Sequence, residues 1–402
     1  MILTQCAVCA TELGLTLGKK CGRCSTRYCG PECQVQHWKE GGHDQLCKPI
    51  KKAGGAEQYN ANNKYAEAVG AAAEACAEDT KGQTCYICTQ ALHWKTKEGL
   101  VRMCGCRGTA GFAHVSCLAE QAKILVAEAE ENNLADKAFN ERWFRWSTCS
   151  LCERDHHGIV RCALGWACWR TYVGRPETDT SRRFAMTALG NGLADVELHV
   201  DALVVREAEL AMERRCGSRR ITTVLRMQGN LAGSYEALGR LEEAAEQYRQ
   251  VYFGLMNTLG EEHLDTIGAA NNYASSFARR ERYAEARSLL RKTMPVARRV
   301  LPENDEAWFM MRMNFAAVLY EPDYATLDDV REAVTTLEDL APITRRVLGC
   351  KHPTVVLVEL SLRKVRGKAR AMALSPAEVE RLPPAEKRAV KALHAAQLRN
   401  SK

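Results

Sequence analysis

The chain has 402 residues, 46% of them hydrophobic and 26% charged, with a formal net charge of +7. That composition excludes a disordered protein, and the length accommodates two or three domains. No stretch reaches the ~20 consecutive apolar residues of a membrane helix. The richest, Ala163 to Val173, is interrupted by Arg170, so a soluble protein without a membrane partner is expected. The positive charge is modest and partly local, because Arg363, Lys364, Arg366, Lys368 and Arg370 crowd one segment. We read that run as a solvated helix face and expect no nucleic-acid partner.

Residues 1–48 hold eight ligand candidates in four pairs: Cys6/Cys9, Cys21/Cys24, Cys29/Cys33 and His43/Cys47. A Cys-x-x-Cys turn brings two sulfurs to about 2.3 Å from one metal ion and leaves two tetrahedral positions for a distant pair. A disulfide framework would need an oxidising compartment, and the opening MILTQCAVC has neither a basic start nor an apolar run. Zinc in a reducing compartment, cytoplasm or nucleus, is therefore expected. His37 competes for the histidine position. His43 is preferred, since His-x-x-x-Cys spacing to Cys47 lets one helical turn present both ligands. All eight positions, with the pair His37-Trp38, resemble the MYND zinc finger. That resemblance implies alternate pairing, with Cys6, Cys9, Cys29 and Cys33 on one zinc and Cys21, Cys24, His43 and Cys47 on the other.

Residues 49–80 mix KKAGG with an Ala-rich stretch. We read a loop and then a helix, a linker that couples its neighbours loosely.

A second set of eight follows in 81–155: Cys85, Cys88, Cys104, Cys106, His114, Cys117, Cys149 and Cys152. Its order of four cysteines, one histidine and three cysteines is shared by RING-CH and PHD fingers. The single residue between Cys104 and Cys106, the following Arg107-Gly108, and the His-x-x-Cys-Leu at His114 resemble the RING-CH (RING-variant) finger. A PHD finger places a tryptophan two residues before its seventh ligand, whereas Trp146 lies three before Cys149. The RING-CH resemblance implies Cys85, Cys88, His114 and Cys117 on one zinc and Cys104, Cys106, Cys149 and Cys152 on the other. It also marks Ile87 and Leu151 as contacts for a ubiquitin-conjugating enzyme, although each also reads as a packed residue of a tiny core. Two positions depart from the family: Gln121 stands where a tryptophan is usual, and Glu153 follows the last cysteine, with Arg154 a weak substitute for the usual arginine. The run LAEQAKILVAEAEENNLADKAF between Cys117 and Cys149 has helical periodicity.

Four structural zinc ions are thus expected, each closed by four protein ligands, so none is catalytic. The other cysteines, Cys76, Cys162, Cys168, Cys216 and Cys350, form no ligand pair and read as buried thiols. A fifth site from His156 and His157 with Cys162 and Cys168 would lack a tight pair. Residues 156–182 are rich in large apolar side chains and read as a connector helix, the first of a solenoid.

Residues 183–372 repeat. NLAGSYEALGRLEEAAEQY from Asn230 parallels segments beginning at Asn272 and Asn314, each 42 residues on. Such a period marks stacked helix pairs. Small residues recur at Ala232, Ala274 and Ala316, and again at Ala244 and Ala286. With Tyr235, Phe277, Gly239 and Tyr248 the pattern resembles the tetratricopeptide (TPR) repeat, and the 42-residue period resembles the kinesin-light-chain variety. The third unit carries a five-residue insertion, and a degraded unit covers Phe184 to Arg220. Asn230, Asn272 and Asn314 could form a ladder for the backbone of an extended peptide, or tie neighbouring loops. Residues 373–402 read as a basic tail.

The expected fold is mainly α, with two cross-braced zinc fingers followed by a TPR-like solenoid. The resemblances imply a RING-CH ubiquitin ligase that docks a ubiquitin-conjugating enzyme and recruits protein or peptide targets through the repeats and the MYND finger. The alternative is a non-enzymatic adaptor. A MYND-containing methyltransferase would need a further domain, for which no segment remains.

Overall fold

The computed structural model describes residues 5–14, 17–217 and 220–400. The first four residues of the first finger, Leu15 and Thr16 within it, Ser218 and Arg219 in the degraded repeat, and the last two of the tail lie outside the described residues. The chain forms two compact units, one up to Leu238 and one from Gly239 on.

The first unit opens with two-residue strands β1 (Lys19–Lys20) and β2 (Arg27–Tyr28), antiparallel with Lys19 opposite Tyr28. Helices α1 (Pro31–Lys39) and α2 (His43–Ala53) follow, α1 starting on a proline whose missing N–H would have no helical partner there. Gly54 and Gly55, at φ of +101° and +115°, turn the chain into α3 (Ala56–Cys76). This helix is not the loose linker expected from its composition. Its Ala61, Tyr65, Val69 and Ala72 share one core with Leu100, Phe112 and Val115 of the second finger. Tyr65 Oη lies 2.9 Å from Ser116 Oγ, and the Arg170 guanidinium sits 3.8 Å above the Tyr65 ring.

The second finger carries α4 (Val115–Glu131) and α5 (Asp136–Trp143), with a short 3-10 turn over Phe144–Trp146. The single helical run read between Cys117 and Cys149 is therefore two helices. The break falls at Asn132 and Asn133. Asn132 Nδ2 donates to the Glu128 carbonyl, competing with the helix, and Asn133 takes φ +49°, which asparagine tolerates better than most residues.

Helix α6 (Gly158–Tyr172) is the axis of this unit. Leu164, Trp166, Cys168, Trp169 and Tyr172 are all buried, which leaves the helix no polar face and requires neighbours all round. Its partner α7 (Thr180–Asp195) approaches closely because glycines face the contact. A Cβ at Gly192 would stand 2.8 Å from Cys162 Cα, and one at Gly165 would stand 2.9 Å from the Ala188 carbonyl oxygen. Helices α8 (His199–Cys216) and α9 (Ile221–Ala237) complete the unit.

The second unit contains α10 (Leu241–Leu259), α11 (Leu264–Arg279), α12 (Tyr283–Val300), α13 (Glu306–Tyr320), α14 (Leu327–Leu348), α15 (Pro353–Ala373), the short α16 (Pro376–Glu380) and α17 (Pro384–Asn400). The small positions of the repeat are buried throughout: Ala232, Ala274 and Ala316 in the first helices, Ala244, Ala286 and Ala333 in the second. Ala333 takes the third place once the insertion is counted. The α7/α8 pair keeps the same register, with Gly190 and Ala202 at the equivalent sites. A left-handed residue also recurs every 42 positions in the turn that follows the first helix of three successive units of the repeat: Glu197 (φ +61°), Gly239 (φ +76°) and Glu281 (φ +60°). The basic run of α15 is only partly a solvated face, since Arg366 pairs with Glu338 and Lys368 donates to the Tyr320 and Pro322 carbonyls.

Gly192→Ala should therefore destabilise the first unit by about 1–3 kcal/mol, the cost of overpacking a closed contact. Gly268→Ala, where a Cβ meets nothing within 4 Å, should be neutral or stabilising by up to ~1 kcal/mol. Thermal melts of the two variants against the parent check the contrast.

Candidate metal centres

Four Cys-x-x-Cys turns are built alike. In each, the N–H of the first cysteine donates to the carbonyl five residues on, over 2.8 to 3.0 Å: Cys6 to Thr11, Cys21 to Thr26, Cys85 to Gln90 and Cys149 to Arg154. The residue after each pair returns an N–H to the first cysteine's carbonyl. That residue is always left-handed and never glycine: Ala10, Ser25, Thr89 and Glu153, at φ of +56°, +62°, +61° and +54°. Backbone N–H groups inside the turn point at sulfur, with Ile87 N 3.4 Å from Cys85 Sγ and Leu151 N 3.5 Å from Cys149 Sγ. Such turns aim two sulfurs at one point, where N–H dipoles favour thiolate.

The turns are completed by ligands distant in sequence. Four groups gather, each with its ligand atoms within 4.8 Å of one another: Cys6, Cys9, Cys29 and Cys33; Cys21, Cys24, His43 and Cys47; Cys85, Cys88, His114 and Cys117; Cys104, Cys106, Cys149 and Cys152. A tetrahedron of sulfurs about 2.3 Å from zinc has edges of about 3.8 Å. Two sulfur edges match it, Cys21 to Cys47 at 3.9 Å and Cys106 to Cys149 at 3.7 Å, while Cys9 to Cys29 at 3.4 Å and Cys29 to Cys33 at 3.5 Å are tighter, and Cys24 Sγ to His43 Nε2 is 3.4 Å. The donor set of thiols and imidazoles, closed at four, fits structural zinc.

The two histidines enter differently. His114 turns Nδ1 toward Cys88 and Cys117, at 3.4 and 3.6 Å, and its Nε2 faces the Ala91 carbonyl at 3.4 Å. That outer contact holds Nε2 protonated and leaves Nδ1 for metal. His43 turns Nε2 inward, and its buried Nδ1 has no hydrogen-bond partner among the described residues. His37 stands outside the group, its Nδ1 3.0 Å from Tyr28 Oη and its ring 4.8 Å from that of His43.

Crowded thiols cannot all lose their protons unaided. The Cys104 hydrogen bond holds Cys152 far below the ordinary thiol range, while Cys149 and Cys152 drive Cys104 far above it. In the first finger the Thr11 hydroxyl lowers Cys9 to about 6, and Cys29 pushes Cys33 up to about 12. A divalent cation removes this conflict by stabilising every thiolate at once. The first finger has little else to hold it. Among the described residues, Leu13, Tyr28, Ile50 and Ala56 are the only buried non-ligand members of its core.

One turn escaped the sequence reading. His93 to Glu98 repeats the hydrogen bonds of the cysteine turns, His93 N to Glu98 O at 3.0 Å and Lys97 N to His93 O at 2.9 Å, with Lys97 at φ +60°. Here Thr96 Oγ1 bonds His93 Nδ1 at 2.8 Å in place of a metal. Glu98 then accepts from the Ser116 backbone N–H at 2.7 Å, capping α4 just beside Cys117. Lacking a cysteine pair, this turn leaves no signal in the spacing.

The other singled-out residues are placed as follows. Ile87 and Leu151 are exposed at the tips of their turns, and the preceding residues are joined by Tyr86 Oη to Ser150 Oγ at 2.9 Å. Asn272 is exposed, and Asn230 and Asn314 are half-buried. Asn314 Nδ2 donates to Asn271 rather than Asn272. Cys76, Cys162 and Cys168 are buried, as expected, whereas Cys216 is half-buried and Cys350 is exposed. Cys350 lies in the turn between α14 and α15, where no core reaches it. Among the described residues no fifth group gathers, and His156 is buried without joining Cys162 or Cys168.

Comparison with known proteins agrees with this division. Residues 6–47 match the MYND finger, 85–136 the RING-variant domain and 223–299 the tetratricopeptide repeat. The last ligand pair, Cys149 and Cys152, lies beyond the RING-variant match. Similar solved structures include a Podosopora anserina protein described as a putative kinesin light chain with nearly identical TPR-like repeats, and a single-substitution form of it. Both cover 58% of this chain and 97% of their own at a TM-score of 0.35, with 18% and 19% identity. BtubC (BKLC) from P. vanneervenii has 13% identity, covers 65% of this chain and 94% of its own, and has a TM-score of 0.34. No curated protein matches the chain. The chain is a zinc-finger protein with TPR interaction repeats.

His43→Ala should lower the bound zinc by at least one equivalent, and by two where the loss of this cluster unfolds the interleaved first finger, whereas His37→Gln should keep the parent's metal content. Elemental analysis of the purified variants checks this. A strong chelator should abolish hydrogen-exchange protection across 85–155 while leaving α11 to α14 protected, because no cluster gathers among the described residues of the second unit.

Proposed function

We propose that this protein is a RING-CH-type ubiquitin ligase. Its four clusters hold four structural zinc ions, and its second finger docks a ubiquitin-conjugating enzyme. The carrying observation is the exposure of Ile87 and Leu151 on two adjoining metal turns, 37% and 51%. Single exposed apolar residues are ordinary, and these two differ in standing on neighbouring turns whose preceding residues are joined by a hydrogen bond, so that one partner can bury both. The helical insertion of the finger turns its Ala119, Ala122, Val126 and Trp143 into the core. No described helix is long and apolar enough to cross a membrane.

In this mechanism the chain forms no covalent intermediate. The finger holds the enzyme–ubiquitin thioester, and the repeats and MYND finger hold a target lysine near it, so catalysis comes from proximity and orientation. Asn230, Asn272 and Asn314 would contact the target peptide. The free cysteines suit the cytoplasm or nucleus.

A second reading, a non-enzymatic adaptor, draws on Gln121, half-buried where the family's tryptophan would stand, and on Glu153 after the last cysteine.

Zinc-loaded protein assayed for autoubiquitination against a panel of conjugating enzymes separates the two. The ligase reading expects zinc-dependent chains that fall about tenfold in Ile87→Ala and in Leu151→Ala, the loss of one apolar anchor each. Silence across the panel, with metal content intact, supports the adaptor.

A further inference from the structure

The five-residue insertion of the third repeat is built rather than slack. Lys368 Nζ on α15 donates to the Tyr320 carbonyl at 2.6 Å and the Pro322 carbonyl at 2.9 Å. Lys364 reaches Glu321 at 3.3 Å and lies over the Tyr320 ring. At its far end Thr326 and Asp329 form a reciprocal cap on α14. An ordered connection longer than its counterparts in the other repeats is where function concentrates.

The insertion forms one wall of a cleft of about 560 Å³, with Pro322 and Tyr324 facing α12. Tyr283, Arg287 and Arg291 come from α12 at four-residue spacing, and so line it from one helix face. None of the three repeat asparagines lines this cleft. Its donors are incompletely used. Arg287 pairs with Asp329, yet its buried Nε has no acceptor among the described residues. Arg291 lies 3.7 Å from Glu332, both about half exposed, a contact worth little in water. Tyr324 keeps 47% of its surface open.

The charged lining residues are Arg287, Arg291 and Asp329, a net single positive charge, which Glu332 beyond the lining offsets only through its half-exposed contact with Arg291. One carboxylate neutralises it. A phosphate dianion would overcompensate and face Asp329. We propose that this cleft binds an extended peptide through one carboxylate side chain, held by Arg287 and Arg291, with an adjacent apolar residue against Tyr283 and Tyr324. The site is independent of the ligase reading, because it lies wholly in the second unit.

The test uses fluorescein-labelled nonapeptide pools, degenerate except for a central Glu, Gln or phosphoserine, titrated against the zinc-loaded full chain by anisotropy. The Glu pool should bind about tenfold more tightly than the Gln pool, the worth of one charge-assisted hydrogen bond. That preference should vanish in Arg291→Glu and weaken in Tyr324→Ala. Both side chains are about half exposed, so the parent's thermal transition should persist; if Arg291→Glu melts early, Arg291→Gln is read the same way. Equal binding of the Glu and Gln pools, tightest binding of the phosphoserine pool, or a preference that survives both substitutions would overturn the proposal.

Discussion

Closure of each metal cluster by ligands distant in sequence is the constraint on which the N-terminal half depends. Cys6 and Cys9 are useless as a site until Cys29 and Cys33 arrive, and Cys21 and Cys24 until His43 and Cys47 do. Interleaving the two pairs pins strands, turns and helices that bury few large side chains of their own. Small domains lack the apolar area to offset chain entropy, so metal affinity stands in for a core. The left-handed residues after each pair have the same origin. Ala10, Ser25, Thr89 and Glu153 accept a strained backbone because two coordinated sulfurs and a pair of hydrogen bonds determine the turn around them.

Where the metal constraint ends, a different device takes over. Helix α6 has no polar side and is enclosed by α3, α4 and α7, with Gly165 and Gly192 letting two backbones meet. The second finger is thereby bonded to a helical body, while its two apolar tips stay outside. A finger held this way carries Ile87 and Leu151 on a packed base, the preorganisation that the proposed docking would require.

Much of this was legible in the residues. The sixteen ligands could be read because thiolate pairs leave a strict spacing, and the register of the repeats because a 42-residue period preserves small residues at helix contacts. Even the degraded unit keeps Gly190 and Ala202 in register. What escaped depends on tertiary partners. An alanine-rich stretch such as α3 reads the same whether it is a slack linker or a buried strut, and only Tyr65 and Val69 meeting the second finger decide it. The break at Asn132 and Asn133 hides inside an apolar period that continues past it. The His93 turn has a hydroxyl where its relatives have sulfur, and the pairing of Asn314 with Asn271 falls one residue from the repeat's own alignment.

Four clusters of four ligands gather, and we propose that each closes around one tetrahedral zinc. Zinc K-edge X-ray absorption on the purified chain tests it most directly. Fourteen sulfurs and two nitrogens shared over four ions predict a first shell dominated by sulfur at about 2.3 Å, with a minor nitrogen contribution near 2.0–2.1 Å and no water oxygen. A shell containing oxygen, or a zinc content well below four with cysteines paired as disulfides, would contradict the account.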